Sequence, residues 1–176
     1  DDNMNTHTIG SDTKDSLDDE LSRKYLKVID KLIPVKYVRD KVEEELNKLP
    51  TDFDVFSIRT FKSFKEENHS WGQYFIIDRL YKVLDESKLP FLFMCDDTEV
   101  VDDIKNKYSD RIYVTPKRTK YGDFTTIEGM QDILVDLYLG SYGKTIYGTF
   151  LSSFCELQWW LGKCQSEYVE MRLHQK

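Results

Sequence analysis

Lysine and arginine are too scarce in this chain to make a general nucleic-acid surface. There are 25 of them against 32 aspartates and glutamates, a net charge of −7. A phosphate backbone needs a basic footprint, whereas a single nucleotide diphosphate needs only a local site. Cysteine is scarce too. Cys95, Cys155 and Cys164 cannot all pair within one chain, and none stands in a CxxC or a Cys/His cluster of zinc spacing. They read as small buried apolar residues, a pattern that leans towards a reducing, cytoplasmic compartment. A Golgi or endoplasmic-reticulum lumen is the alternative for a processed fragment. No apolar run approaches about 20 residues, so no transmembrane segment and no secretory signal are expected.

Several chemistries lack their signatures. His7, His69 and His174 are far apart, and no serine or cysteine nucleophile motif, glycine-rich dinucleotide fingerprint or P-loop is found. Asp96 and Asp97 are adjacent rather than spaced as Asp-x-Asp, and no metal site is expected.

What is present is enough apolar material for one core: 40% hydrophobic and 14% aromatic residues. Residues 1–16 are polar and read as a disordered or loosely attached leader. Residues 17–50 read as a helical N-terminal portion, with Leu17, Leu21, Tyr25, Val28 and Leu32 at spacings of three and four, then a charged helix over 35–48. Residues 51–176 alternate: strands over 53–58, 91–95, 111–114, 144–149 and 168–172, with helices over 72–86, 98–108, 127–141 and 153–162. Such alternation predicts βαβ units, hence an α/β, Rossmann-like, mainly parallel sheet flanked by helices.

Ligands of such sheets bind beyond the carboxyl ends of the strands. Those ends carry Ser57-Ile58-Arg59 with Lys62 and Lys65 beyond, Asp96-Asp97, the basic loop Lys117–Lys120, and Thr149 with Ser152-Ser153. An arginine directly after a buried strand needs an anion. A diphosphate suits its planar fork, and a salt bridge to Asp96 or Asp97 suits it equally. One of those aspartates is expected to cap the helix near Thr98. Ser153 and Glu156 have capping-box spacing, and the same helix start is a natural phosphate seat. Glu128, Asp132 and Asp136 share one helix face and read as a solvated acidic stripe, with like-charge repulsion at that spacing favouring a partner for at least one of them.

The segments FDVFSIRTFK, FLFMCDDTEVVDDIKNKYSDRIYV and GMQDILVDLYLGSYGKTIYGTFLSSF, in that order over about residues 50–160, resemble the donor-binding region of the GDP-fucose-dependent fucosyltransferases. That superfamily holds the α-1,6-, the nodulation and the protein O-fucosyltransferases. The resemblance implies a GT-B-type fold and an inverting, metal-independent glycosyltransferase. Its partners would be GDP-fucose or a related nucleotide sugar and a glycan acceptor, with no cofactor. It implies that Arg59 is catalytic, holding the donor diphosphate, and that Asp136 meets the guanine edge. Ser57 stands where the family has histidine, Asp96 or Asp97 matches its Asp-Asp, and Thr149, Ser152 and Ser153 match its diphosphate turn. The alternatives are a GT-B transferase using another nucleotide sugar, and a non-catalytic nucleotide-binding or interaction domain of the same fold.

Overall fold

Two strands whose residues are all buried, DVFSI and the apolar run FLFMC, form the centre of the molecule. The computed structural model describes residues 7–8, 20–61, 75–119 and 125–173. In chain order these form β1 (His7–Thr8), α1 (Glu20–Ile29), α2 (Lys36–Leu46), β2 (Asp54–Ile58), α3 (Ile77–Glu86), β3 (Phe91–Cys95), α4 (Thr98–Lys107), β4 (Ile112–Tyr113), α5 (Ile127–Gly140), β5 (Thr145–Thr149), α6 (Ser153–Leu161) and β6 (Glu167–Met171). The sheet order is β1-β6-β5-β2-β3-β4. Strands β2 to β6 run parallel, and β1 is antiparallel to β6. The α/β, mainly parallel architecture read from the sequence is the one observed. Burial on both faces explains why these strands read as continuous apolar runs.

Strand periodicity divides the core in two. Phe56, Ile58, Phe91, Phe93 and Cys95 point to one face, where Leu80, Val83 and Leu84 of α3 and Val101 and Ile104 of α4 cover them. Val55, Leu92, Met94 and Ile146 point to the other, under Val38 and Val42 of α2, Val135 and Leu139 of α5, and Cys155 and Trp159 of α6. Adjacent strand residues alternate faces because the pleat has a period of two.

Two local expectations need adjustment. The helix read over 72–86 begins only at Ile77. Phe75 and Ile76 precede it, because the Ile76 N–H is taken by the Leu173 carbonyl at 2.9 Å; residues 72–74 lie outside the described residues. Of the leader at 1–16, the described part is His7–Thr8, which pairs with Val169 and Glu170 on β6.

The connectivity creates an opening. The chain leaves β2 for β3 and β4 on one side, then returns through α5 to β5 on the other side of β2. The helix after β2 covers one face and the helix after β5 covers the opposite face. Loops therefore diverge at the carboxyl ends of β2 and β5, which is where open α/β sheets form a ligand crevice.

Candidate functional site

A cavity of about 470 Å³ occupies that crevice. The register sets its floor: Ile58 lies beside Cys95, and Ser57 beside Gly148. Ser57, Arg59, Asp96, Asp136, Ser152 and Ser153 all line it, with Lys117 and Asp132. Residues from five separate stretches of sequence thus meet at one opening. Thr149 and Asp97 are not among the lining residues. Thr149 is fully buried, and its Oγ1 accepts from the Arg59 N–H at 2.9 Å, so it fixes the backbone that presents Arg59. Asp97 caps α4, accepting from the Glu99 N–H at 3.0 Å, as one of the two adjacent aspartates was expected to do.

Arg59 has the salt bridge that the sequence left open. Its Nη1 is 3.2 Å from Asp96 Oδ2, while its side chain keeps 36% of its surface exposed towards the cavity. The other Asp96 oxygen accepts from the Thr60 N–H at 2.8 Å and the Thr60 hydroxyl at 2.9 Å. Asp96 therefore ties the loop after β2 to the loop after β3 and aims Arg59 across the opening.

The acidic stripe on α5 is not solvated. Glu128 is exposed, but Asp132 is 7% exposed and receives Arg118 at both oxygens: the backbone N–H at 2.7 Å, Nε at 2.9 Å and Nη2 at 2.8 Å. Asp136 is paired with the Lys117 ammonium, which also donates to the Asp132 carbonyl at 3.3 Å. Burial raises the Asp136 carboxyl above its ordinary range, against the opposing pull of Lys117. Spacing along α5 could not reveal this, because both partners come from the loop after β4. Two of the basic loop's cations are thereby committed to the carboxylates of α5. Lys62, Lys65, Lys120 and His69 lie outside the described residues.

The expected capping box does not form. Ser152 is the residue before α6 and Ser153 already belongs to its first turn, while Glu156 accepts from the Trp160 indole N–H at 3.2 Å. Without a side-chain cap at Ser152, the first-turn N–H groups of α6 and their partial positive charge open on the cavity.

Apolar residues supply the remaining wall. Met130 and Ile133 stand at i and i+3 before Asp136 on α5, a spacing that could have marked them as its neighbours; Phe61, Leu151 and Phe154 join them, with Ile58 and Met94 from the strands. Phe61 and Leu151 have positive φ, 56° and 62°, which costs a residue other than glycine about 1–2 kcal/mol. Backbone strain of this kind collects where a site imposes its geometry. Cys95 and Cys155 also face the cavity. Burial raises both thiols, so neither is presented as a thiolate nucleophile. One Asp-x-Asp spacing does occur, at Asp52-Phe53-Asp54, but it lies at the amino end of β2, where the buried Asp54 accepts from the Ser87 hydroxyl at 2.8 Å.

No protein-family model matches the chain, and no curated protein matches it in sequence. Among solved structures, the α-1,6-fucosyltransferase NodZ soaked with GDP-fucose is similar in fold, with a TM-score of 0.51 at 18% identity. The match covers 72% of this chain and 42% of that one. The chain thus spans less than half of that structure, and what they share is the Rossmann-like fold.

Proposed function

We propose that this chain binds a nucleotide sugar in the cavity at the carboxyl ends of β2, β3 and β5, as the donor-binding part of a GT-B-like glycosyltransferase. The donor in this reading is GDP-fucose, and fucose passes to a glycan hydroxyl with inversion and without a metal. The observation that carries the reading is the convergence of Arg59, Asp136 and the start of α6 on one cavity. The similarity of fold to a fucosyltransferase supports it.

The diphosphate would lie between Arg59 and the first turn of α6, at Ser152 and Ser153, where a bidentate guanidinium and oriented N–H groups favour an anion. Ser57 and Asp96 flank this position, while Thr149 holds the backbone that presents Arg59 and Asp97 caps α4. As the sugar C1–oxygen bond breaks, its electron pair departs with GDP, and Arg59 stabilises that charge. The acceptor oxygen bonds to C1 from the opposite side, and a carboxylate or histidine takes its proton. Guanine's N–H edge would meet the Asp136 carboxylate, taking the place of the Lys117 ammonium.

One observation favours the non-catalytic alternative. Among the described residues, both cations lining the cavity, Arg59 and Lys117, are already in ion pairs with lining carboxylates. Calorimetric titration with GDP, GDP-fucose and UDP separates the readings. Arg59→Ala should weaken all three by about 2–4 kcal/mol. Asp136→Asn should lose most of the preference for GDP over UDP, and EDTA should change nothing. A folded Arg59→Ala protein that binds GDP as well as the parent does removes this site and leaves the non-catalytic domain. Binding restored by manganese counts against the metal-independent assignment.

A further inference from the structure

We propose that the face formed by α1 and the connector to α2 docks on an anionic lipid surface. The proposal does not rest on the donor reading, because it concerns the other end of the sheet. Along this face Tyr25, Val28, Leu32, Ile33 and Val35 are 52%, 59%, 45%, 71% and 60% exposed. At 100° per residue, Tyr25 and Val28 span an arc of about 60° on α1, while Leu26 and Ile29 turn inward to the core; Leu32, Ile33 and Val35 follow in the connector. The same arithmetic places Lys24 and Lys27 on the outer flank of that arc, and Lys31 is exposed just past the end of α1. The stripe continues across a cleft of about 510 Å³, which Leu32 shares with Tyr142, Lys144 and Lys163; Tyr142 is 59% exposed.

Charge indicates the occupant. Residues 20–36 hold five cations, Arg23, Lys24, Lys27, Lys31 and Lys36, against two acids, in a chain of net charge −7. Glu20 pairs with Lys24, Asp30 with Lys163, and Lys36 with Asp40 of α2, so Lys27 and Lys31 stand outside these pairs. A basic, apolar face on an acidic molecule is attracted to anions only in one orientation. The shape narrows the choice further. Apolar side chains this exposed on a helix–helix connector stand out from the surface, and a bilayer interface accepts them without a matching groove. Lysine stems can lie along the same apolar surface while their ammonium groups reach lipid phosphates. The cleft adjoins Lys144 and Ser166, just before β5 and β6, so a docked membrane leaves the carboxyl-end cavity facing away from it.

Vesicle flotation tests this on the full chain. The parent should float with phosphatidylcholine vesicles containing phosphatidylglycerol, should stay behind with phosphatidylcholine alone, and should be released by salt. Lys27→Glu/Lys31→Glu should weaken partitioning by roughly thirtyfold or more, the effect of removing two near-surface cations. Ile33→Asp/Val35→Asp should abolish flotation. All four side chains are exposed, so thermal unfolding should match the parent. A folded parent that ignores anionic vesicles overturns the proposal, as do variants that float unchanged. If light scattering instead finds a dimer that the same variants dissociate, the face belongs to a second copy and the lipid proposal fails.

Discussion

Glu45 is a charged side chain with no exposed surface, and its position on α2 would be untenable without partners. Lys48 Nζ and Lys41 Nζ approach one carboxylate oxygen at 2.8 and 2.9 Å, and the Tyr113 hydroxyl donates to the other. Burial alone would raise this carboxyl; Lys48, Tyr113 and Lys41 together outweigh burial and hold it down to about 2. A depressed carboxyl contributes stability that is complete above its unfolded value of 4.5 and is lost as pH falls through the folded one. The parent should therefore lose stability between about pH 4.5 and 2, measured by denaturant midpoints across that range. Glu45→Gln should be less stable than the parent at neutral pH by about 1–3 kcal/mol. Its pH dependence in that window should be shallower. An equal slope in both proteins would remove Glu45 from the acid response.

Helix termini separate a capping aspartate from a cavity-facing one. Asp97 caps α4 and lies off the cavity lining, whereas its neighbour Asp96 lines the cavity and braces Arg59. Asp97→Ala should cost about 1 kcal/mol in thermal or chemical unfolding and leave GDP affinity unchanged at temperatures where the protein stays folded. A loss of affinity without a loss of stability would instead place Asp97 at the ligand. Glycine acts at the element scale in β5. A side chain at Gly148 would come within 2.5 Å of the Tyr168 hydroxyl and 2.7 Å of Cys155 Cβ, so this position lets α6 sit close against the sheet. That closeness brings the first turn of α6 to the same opening as Arg59.

Across the molecule, α2 and the sheet share one core. Val38 and Val42 sit with Val55, Leu92, Leu139 and Ile146, and the chain between α2 and β2 is short. Residues 17–50 and 51–176 are therefore expected to melt as one unit, with calorimetric and van't Hoff enthalpies in agreement. Two separated transitions would make the helical portion an independent domain. The two ends of the sheet carry different surfaces: paired charges in a crevice at the carboxyl ends, and an apolar, lysine-flanked face near the amino ends. One parallel sheet separates them, so each can be altered without touching the other.

Periodicity by itself determined the α/β class and placed most elements to within a few residues, because fully buried strands and amphipathic helices repeat with periods of about 2 and 3.6. It also placed Ser57, Arg59, Asp96, Ser152 and Ser153 at strand ends, which parallel topology turns into one opening. Partnership was decided only in three dimensions. Asp132 and Asp136 looked like a solvated stripe because their helix spacing carries no information about Arg118 and Lys117 on a distant loop. Ser153 and Glu156 had capping-box spacing, yet α6 begins one residue too early to use it. Local patterns register what neighbours along the chain impose; the pairing of buried charges depends on which segments the fold brings within a few ångströms, and electrostatic energy at that range outweighs any local preference.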